Sequence, residues 1–167
     1  MTKNAAYWIN KLHLIKHPEG GWFKEVYRSV EVVPGKSLSE GFPRSRNFST
    51  SIYYLLEGDD FSSFHRIKSD EIWHYYKGNS PIEIISIENG KIFRRLCGNQ
   101  PDENQHLQVV VPKNTWFAAR HSNSRGFALA GCTVSPGFHF ADFELAGKEL
   151  LEEFPNLLSE IKDLIRC

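Results

Sequence analysis

The stretch Phe64-His65-Arg66-Ile67-Lys68-Ser69-Asp70-Glu71-Ile72-Trp73-His74-Tyr75-Tyr76-Lys77-Gly78 decides how this chain reads. Lys68-Ser69-Asp70 is polar and turn-forming, and both flanks are aromatic and β-branched, so the stretch reads as two strands around a tight turn. Alternate residues of a strand share a face. His65 and Ile67 therefore share one face, and Glu71, Trp73 and Tyr75 share another. If pairing brings the two faces together, His65 and Glu71 converge in an aromatic-walled space. An imidazole and a carboxylate so placed suit an acid–base pair or part of a metal site.

The same pattern continues on both sides. Residues 48–57, 61–67, 71–77, 81–87, 91–97, 106–111, 116–120 and 127–134 read as strands, and 22–30 as an earlier one. Gly58-Asp59 and Asn89-Gly90 are the clearest turns between them, Asn-Gly being the strongest short hairpin signal. Many short strands at such spacing predict an all-β sandwich or barrel. Residues 5–16 carry Trp8, Ile9, Leu12 and Ile15 at helical spacing, and His17-Pro18 ends that helix. Glu19-Gly20-Gly21 is a turn, and residues 31–47 form a long loop. From Glu144 the period changes: Leu145, Leu150, Leu151, Leu157, Leu158, Ile161, Leu164 and Ile165 predict amphipathic helices, with Pro155 starting the second.

Composition narrows the function. The 167 residues hold 20 basic and 20 acidic side chains, for a formal net charge of zero. No long basic run is present, which argues against a nucleic-acid groove or an anionic membrane surface. No apolar run approaches the roughly 20 residues of a membrane helix. Cys97, Cys132 and Cys167 are odd in number and widely spaced, as expected of reduced thiols in the cytoplasm. The chain is expected to be one domain over residues 1–167.

The motif spacing resembles the cupins. Their first motif is His, one residue, His, three residues, Glu, six residues, Gly; His65, Glu71 and Gly78 match it, and Ile67 replaces the second His. Their second motif is Pro, one residue, Gly, two residues, His; Pro112 matches, while Asn114 replaces the Gly and Phe117 the His. A closer likeness runs along nearly the whole chain. His17-Pro18-Glu19-Gly20-Gly21, Ser69 to His74, Val110-Val111-Pro112 and Gly131 to Phe138 resemble the DUF985 (Cupin_5) branch. The resemblance implies a cupin double-stranded β-helix, a jelly-roll barrel of two antiparallel sheets with a short N-terminal helix and C-terminal helices. It also implies a homodimer.

Most cupins hold a divalent metal through three His and the Glu, and Ile67 and Phe117 carry no donor atom, so the expectation is no tightly bound metal and no cofactor. Metal-free cupins include epimerases and isomerases of nucleotide-linked sugars. By that likeness the barrel binds a small, sugar-like molecule, with His65 as base, Glu71 orienting it and Tyr75 or Tyr53 as acid. Arg28, Tyr53, Trp73, Gln108, Trp116, Phe117 and His139 are the candidate ligand contacts. Two other readings compete: a ligand-binding module without catalysis, and a metal-dependent enzyme in which His139 or His74 supplies a third ligand. His74 lies on the strand face opposite Glu71, and His17 near the helix end can meet the last-turn carbonyls.

Overall fold

The architecture comes from a computed structural model that describes residues 3–38, 42, 44–123 and 125–166. A first helix, α1 (Ala5–Leu12), is followed by strands β1 (Ile15–Lys16), β2 (Trp22–Arg28), β3 (Val32–Val33), β4 (Arg46–Asn47), β5 (Thr50–Glu57), β6 (Phe61–Ile67) and β7 (Asp70–Gly78). Next come β8 (Ile82–Glu88), β9 (Lys91–Cys97), β10 (Gln105–His106), β11 (Gln108–Val111), β12 (Trp116–His121), β13 (Phe127–Ser135) and β14 (Phe143–Leu145). Helices α2 (Glu149–Glu153) and α3 (Leu158–Ile161) end the series.

Two six-stranded sheets face each other, ordered β1-β2-β5-β13-β7-β11 and β10-β9-β8-β12-β6-β14. This is the jelly roll that the strand series and the cupin likeness imply. It buries three apolar layers. Between the sheets lie Tyr54, Trp73, Ile82, Ile84, Val109 and Phe117. The C-terminal helices cover the second sheet's outer face through Phe64, Ile85, Leu150, Ile161 and Leu164. Helix α1 covers part of the first sheet's outer face over Leu55, Phe127 and Leu129. Each large side chain so buried contributes roughly 1.5–3 kcal/mol relative to exposure.

Several elements differ from their sequence reading. β6 and β7 do not pair: β6 lies between β12 and β14, and β7 between β13 and β11. The short link after Ile67 carries the chain from one sheet to the other, so His65 and Glu71 face each other across the sandwich. α1 stops at Leu12, four residues early, because His13 takes a left-handed conformation (φ 56°) and closes the helix. Ile15 and Lys16 pair with β2 instead. Leu145 belongs to β14, alongside His65 on β6, not to a helix. The long loop 31–47 contains the β3–β4 pair, and its residues 39–41 and 43, like Cys167, lie outside the described set. Asn89-Gly90 does form the β8–β9 hairpin, with both residues at positive φ as its turn requires. Pro155 opens a short 3-10 turn before α3.

Two of the β-bulges decide which side chains of β6 and β2 reach the site. In β6, Phe117 sits opposite His65 but Ala119 sits opposite Ser62, so one extra residue is accommodated. Strict alternation would place Ser62 and His65 on opposite faces; the bulge turns both inward. In β2, Glu25 opposes Ile52 and Tyr27 opposes Ser51, which leaves Val26 extra. Glu25 and Arg28 therefore both turn to the same side, at the mouth of the barrel.

Candidate functional site

The turn between β1 and β2 plugs into the barrel. Gly20 (φ +115°) and Gly21 (φ +71°) adopt conformations that side-chain-bearing residues avoid. A Cβ on Gly20 would overlap the Phe61 carbonyl oxygen, so the turn lies against β6 with no room for a side chain. The Tyr54 hydroxyl donates to the Gly20 carbonyl at 2.6 Å from inside the barrel. This fit delivers Glu19, 6% exposed, to the inward face of β6.

Glu19 then meets Ser62 and His65, with His17 alongside. Its Oε1 accepts from the Ser62 hydroxyl at 2.9 Å, and its Oε2 lies 3.3 Å from His65 Nε2 and 3.5 Å from His17 Nδ1. Tautomers follow from the hydrogen bonds. His65 Nδ1 lies 2.8 Å from the Ser63 carbonyl, which can only accept, so Nδ1 carries a hydrogen. The contact between Nε2 and Oε2 is then favourable only with a proton between them. His65 thus has both ring nitrogens engaged. His17 Nδ1 accepts from the backbone N–H of Glu19 at 3.3 Å, so a neutral His17 carries its hydrogen on Nε2. Burial lowers the His17 pKa, against the opposing pull of Glu19. Phe117 and Phe143 hold the His65 ring, with centroids 4.2 and 5.4 Å away.

Glu71 enters from the opposite sheet and is also buried. Burial first, and the neighbouring Glu19 charge second, push its carboxyl up to about 8, against a hydrogen bond with Cys132. At neutral pH Glu71 therefore keeps its proton. Burial likewise raises the Cys132 thiol, so it is no nucleophile at neutral pH.

Glu19, His17, His65, Glu71 and Cys132 line one cavity of about 220 Å³. Its walls are apolar: Phe23, Ile52, Ile67 and Val134. At its rim, Phe138, Phe140 and Phe143 make mutual edge-to-face contacts, with centroids 5.0 to 6.2 Å apart. Arg28 also lines it, but its guanidinium is committed. Nε and Nη2 donate to Glu25, and Nη1 donates to Asn47 Oδ1 and the Phe138 carbonyl. The Glu25–Arg28 pair cancels its own charge at the mouth.

Of the residues singled out by sequence, His65, Glu71, Arg28 and His139 line this cavity. His139 sits exposed at the rim, where its Nδ1 caps the following turn by accepting from Ala141 N–H. Phe117 forms the wall behind His65. The others lie elsewhere. Trp73 is packed in the core against Tyr54 and Phe117. Tyr75 is buried further along β7, its hydroxyl donating to the Ser80 carbonyl at 3.1 Å. Tyr53 lies on the first sheet's outer face, in a separate hollow with Trp8 and Tyr76. Gln108 is exposed on that face beside His74, whose Nε2 is 3.1 Å from the Thr133 hydroxyl. Trp116 faces the C-terminal helices, beneath the Arg66 guanidinium at 4.4 Å.

Sequence reasoning missed Glu19 and His17. Neither is on a strand facing the barrel, so alternation could not find them. The available signal was that His17-Pro18-Glu19-Gly20-Gly21 is one of the segments carrying the family likeness, with adjacent glycines beside two ionisable side chains.

The donors do not suit the metal that the cupin fold implies. Ile67 and Phe117 stand where ligands would, His65 Nε2 faces Glu19, and His17 Nδ1 accepts a backbone hydrogen bond. Among the described residues, no three His, Cys, Asp or Glu side chains group so as to hold an ion. Likewise no helix among them is long and apolar enough to cross a membrane.

Comparison with known proteins agrees with this architecture. A hypothetical protein from Leishmania major superposes with a TM-score of 0.89 at 31% identity, covering 98% of this chain and 99% of that one. A protein from Shewanella oneidensis gives a TM-score of 0.86 at 32% identity, with 99% of each chain covered. An uncharacterized protein of Saccharomyces cerevisiae is 32% identical over 144 residues, 80% of this chain and 71% of that protein. A cupin-2 domain protein from Rhodospirillum rubrum shares the fold alone, with a TM-score of 0.57 at 9% identity over 91% of this chain and 88% of that one. The family model described as Cupin superfamily (DUF985) matches residues 6–146, and the chain belongs to that family.

Proposed function

We propose that this cupin is a metal-independent acid–base enzyme of the epimerase/isomerase kind, acting on a small, sugar-like carbonyl compound in the barrel cavity. One observation carries the reading. Two carboxyl groups, Glu19 and Glu71, line one buried cavity in contrasting settings: Glu19 is held by Ser62 and His65, while burial and the Glu19 charge favour the protonated form of Glu71. A pair of titratable groups in contrasting environments supplies an acid and a base together.

The roles follow from which atoms are free. His65 has no ring nitrogen to offer a ligand, so it acts on Glu19, fixing the carboxylate and balancing its charge. Glu19 is the base. It takes a proton from a carbon beside the substrate carbonyl, and the C–H electron pair moves into a new C=C bond. Glu71 gives its proton to the carbonyl oxygen, forming a neutral enol. Return of that proton from Glu19 to the former carbonyl carbon, while the hydroxyl on the adjacent carbon gives its proton to the Glu71 carboxylate and becomes the new C=O, completes an isomerisation. Return to the same carbon after the enol has turned its other face to Glu19, while the enol O–H gives its proton back to Glu71 and the C=O re-forms, completes an epimerisation. No oxidant or reductant is consumed. The apolar walls lower the local dielectric, which strengthens these interactions. Tyr75, bonded to Ser80 and away from the cavity, takes no part.

The test is hydrogen exchange into candidate substrates. A panel of aldoses, ketoses and 2-keto acids is incubated with the protein in D2O, and carbon-bound deuterium is followed by NMR. Exchange is expected for at least one compound, reduced by at least about 100-fold in Glu19→Gln and Glu71→Gln, and retained in Tyr75→Phe. Saturable binding to the cavity without exchange would replace this reading with the non-catalytic module.

A further inference from the structure

We propose that Arg166 is a positioning residue of this site, holding Glu19 in place from outside the cavity through the backbone of the Glu19–Gly21 turn. The proposal rests on the reading of Glu19 as the base.

The guanidinium makes three different contacts around that turn. Nε donates to the Glu19 carbonyl at 3.2 Å, and Nη2 donates to the Phe61 carbonyl at 2.8 Å and to Asp60 Oδ1 at 2.5 Å. Asp60 then holds the other end of the turn, its Oδ2 accepting from Gly21 N–H at 3.1 Å. The turn is thus gripped at residue 19 by Arg166 and at residue 21 by its ion-pair partner. The fit is close: a Cβ on Gly20 would lie 2.6 Å from Arg166 Nη2. The guanidinium also lies over the Phe61 ring, 4.2 Å from its centroid.

A second path leads from the same segment to His65. Arg166 N–H donates to the Ser63 hydroxyl, and that hydroxyl donates to the Leu164 carbonyl, each at 3.1 Å. Ser63 in turn donates its own N–H to the Glu19 carbonyl at 2.8 Å, and its carbonyl fixes His65 Nδ1. Both members of the Glu19–His65 pair are therefore tied through one β6 residue to the stretch 164–166. Arg166, Asp60, Phe61 and Ser63 are not among the residues that line the cavity, so Arg166 acts from behind the site. The residue also lies beyond the family match, which ends at 146.

Arginine is specific here. Its planar fork reaches Glu19, Phe61 and Asp60 together, whereas a lysine ammonium is a single point on a flexible stem. The guanidinium is 39% exposed, so its replacement leaves no buried unpaired charge, and Arg166→Ala and Arg166→Lys are both expected to fold.

The experiment is a carboxyl titration by carbon-detected NMR on protein labelled at Glu side chains, with thermal melting run alongside. The Glu71 titration reports how close Glu19 is held. Arg166→Ala is expected to move it downward by about one unit, and Arg166→Lys by less. A folded Arg166→Ala protein, or Arg166→Lys should the alanine variant fail to fold, that melts lower but titrates like wild type overturns the proposal. Glu19→Gln is the reference. If it leaves Glu71 unmoved, the coupling of the two carboxyls fails. If it moves Glu71 while Arg166→Ala does not, only the role of Arg166 fails.

Discussion

The inner face of β7 runs through two regions that differ completely. Glu71 opens into the cavity, while Trp73, on the same face, is 1% exposed in a dry core with Tyr54, Ile82, Ile84 and Phe117. Cys132 touches both regions and marks their border. The packed end is filled from the facing strands β8 and β12. At the open end the facing wall is His65 of β6 together with the Glu19 carboxylate, which a turn with two glycines delivers. Strand alternation sets which residues face inward, and the opposite wall decides whether they pack or do chemistry. One region stores stability; the other spends some of it on buried ionisable groups.

The largest effect is expected of Trp73→Ala. Emptying the dry end should cost about 3–5 kcal/mol, read by urea denaturation. A loss below about 1 kcal/mol would mean that this end is not the close-packed one.

The second is Glu71→Gln, whose effect depends on pH. The folded protein holds the Glu71 proton up to about 8, whereas the carboxyl's ordinary value is 4.5. Stability linked to this group is therefore fully present below 4.5 and is lost as pH rises through about 8. Wild type should fall relative to Glu71→Gln across that window by up to about 5 kcal/mol, as each unit is worth about 1.4 kcal/mol. Parallel stability curves for the two proteins between pH 4 and pH 9 would contradict the assignment.

Tyr75→Phe sharpens the contrast with a smaller effect. It removes the hydrogen bond to the Ser80 carbonyl and should cost about 1 kcal/mol, with the Glu71 titration unchanged. A shifted titration would place Tyr75 in the functional region after all.

Much of this could be read from the sequence. The alternation in 61–67 and 71–77 placed His65, Glu71, Trp73 and Tyr75 inward, and the cupin motifs chose the jelly roll. What alternation cannot give is position along the barrel axis. It groups Glu71, Trp73 and Tyr75 as equals, although only Glu71 reaches the cavity. It also assumes that adjacent strands pair, whereas β6 and β7 separate into two sheets. Bulges break it outright: Ser62 and His65, or Glu25 and Arg28, look like opposite faces until the extra residue is seen. Glu19 was hidden for a different reason. Its place depends on positive φ at two glycines and on contacts with β6 and the Arg166 segment, all distant in sequence.

The reading of Glu19 and Glu71 as base and acid of one buried cavity depends on how Glu71 titrates. The most direct measurement is the carboxyl titration of Glu71 in wild type and in Glu19→Gln. Wild-type Glu71 is expected to titrate near 8, lower when the Glu19 charge is removed, and still above the ordinary carboxylate range because of the burial that remains. A wild-type Glu71 that titrates near 4.5 would contradict it.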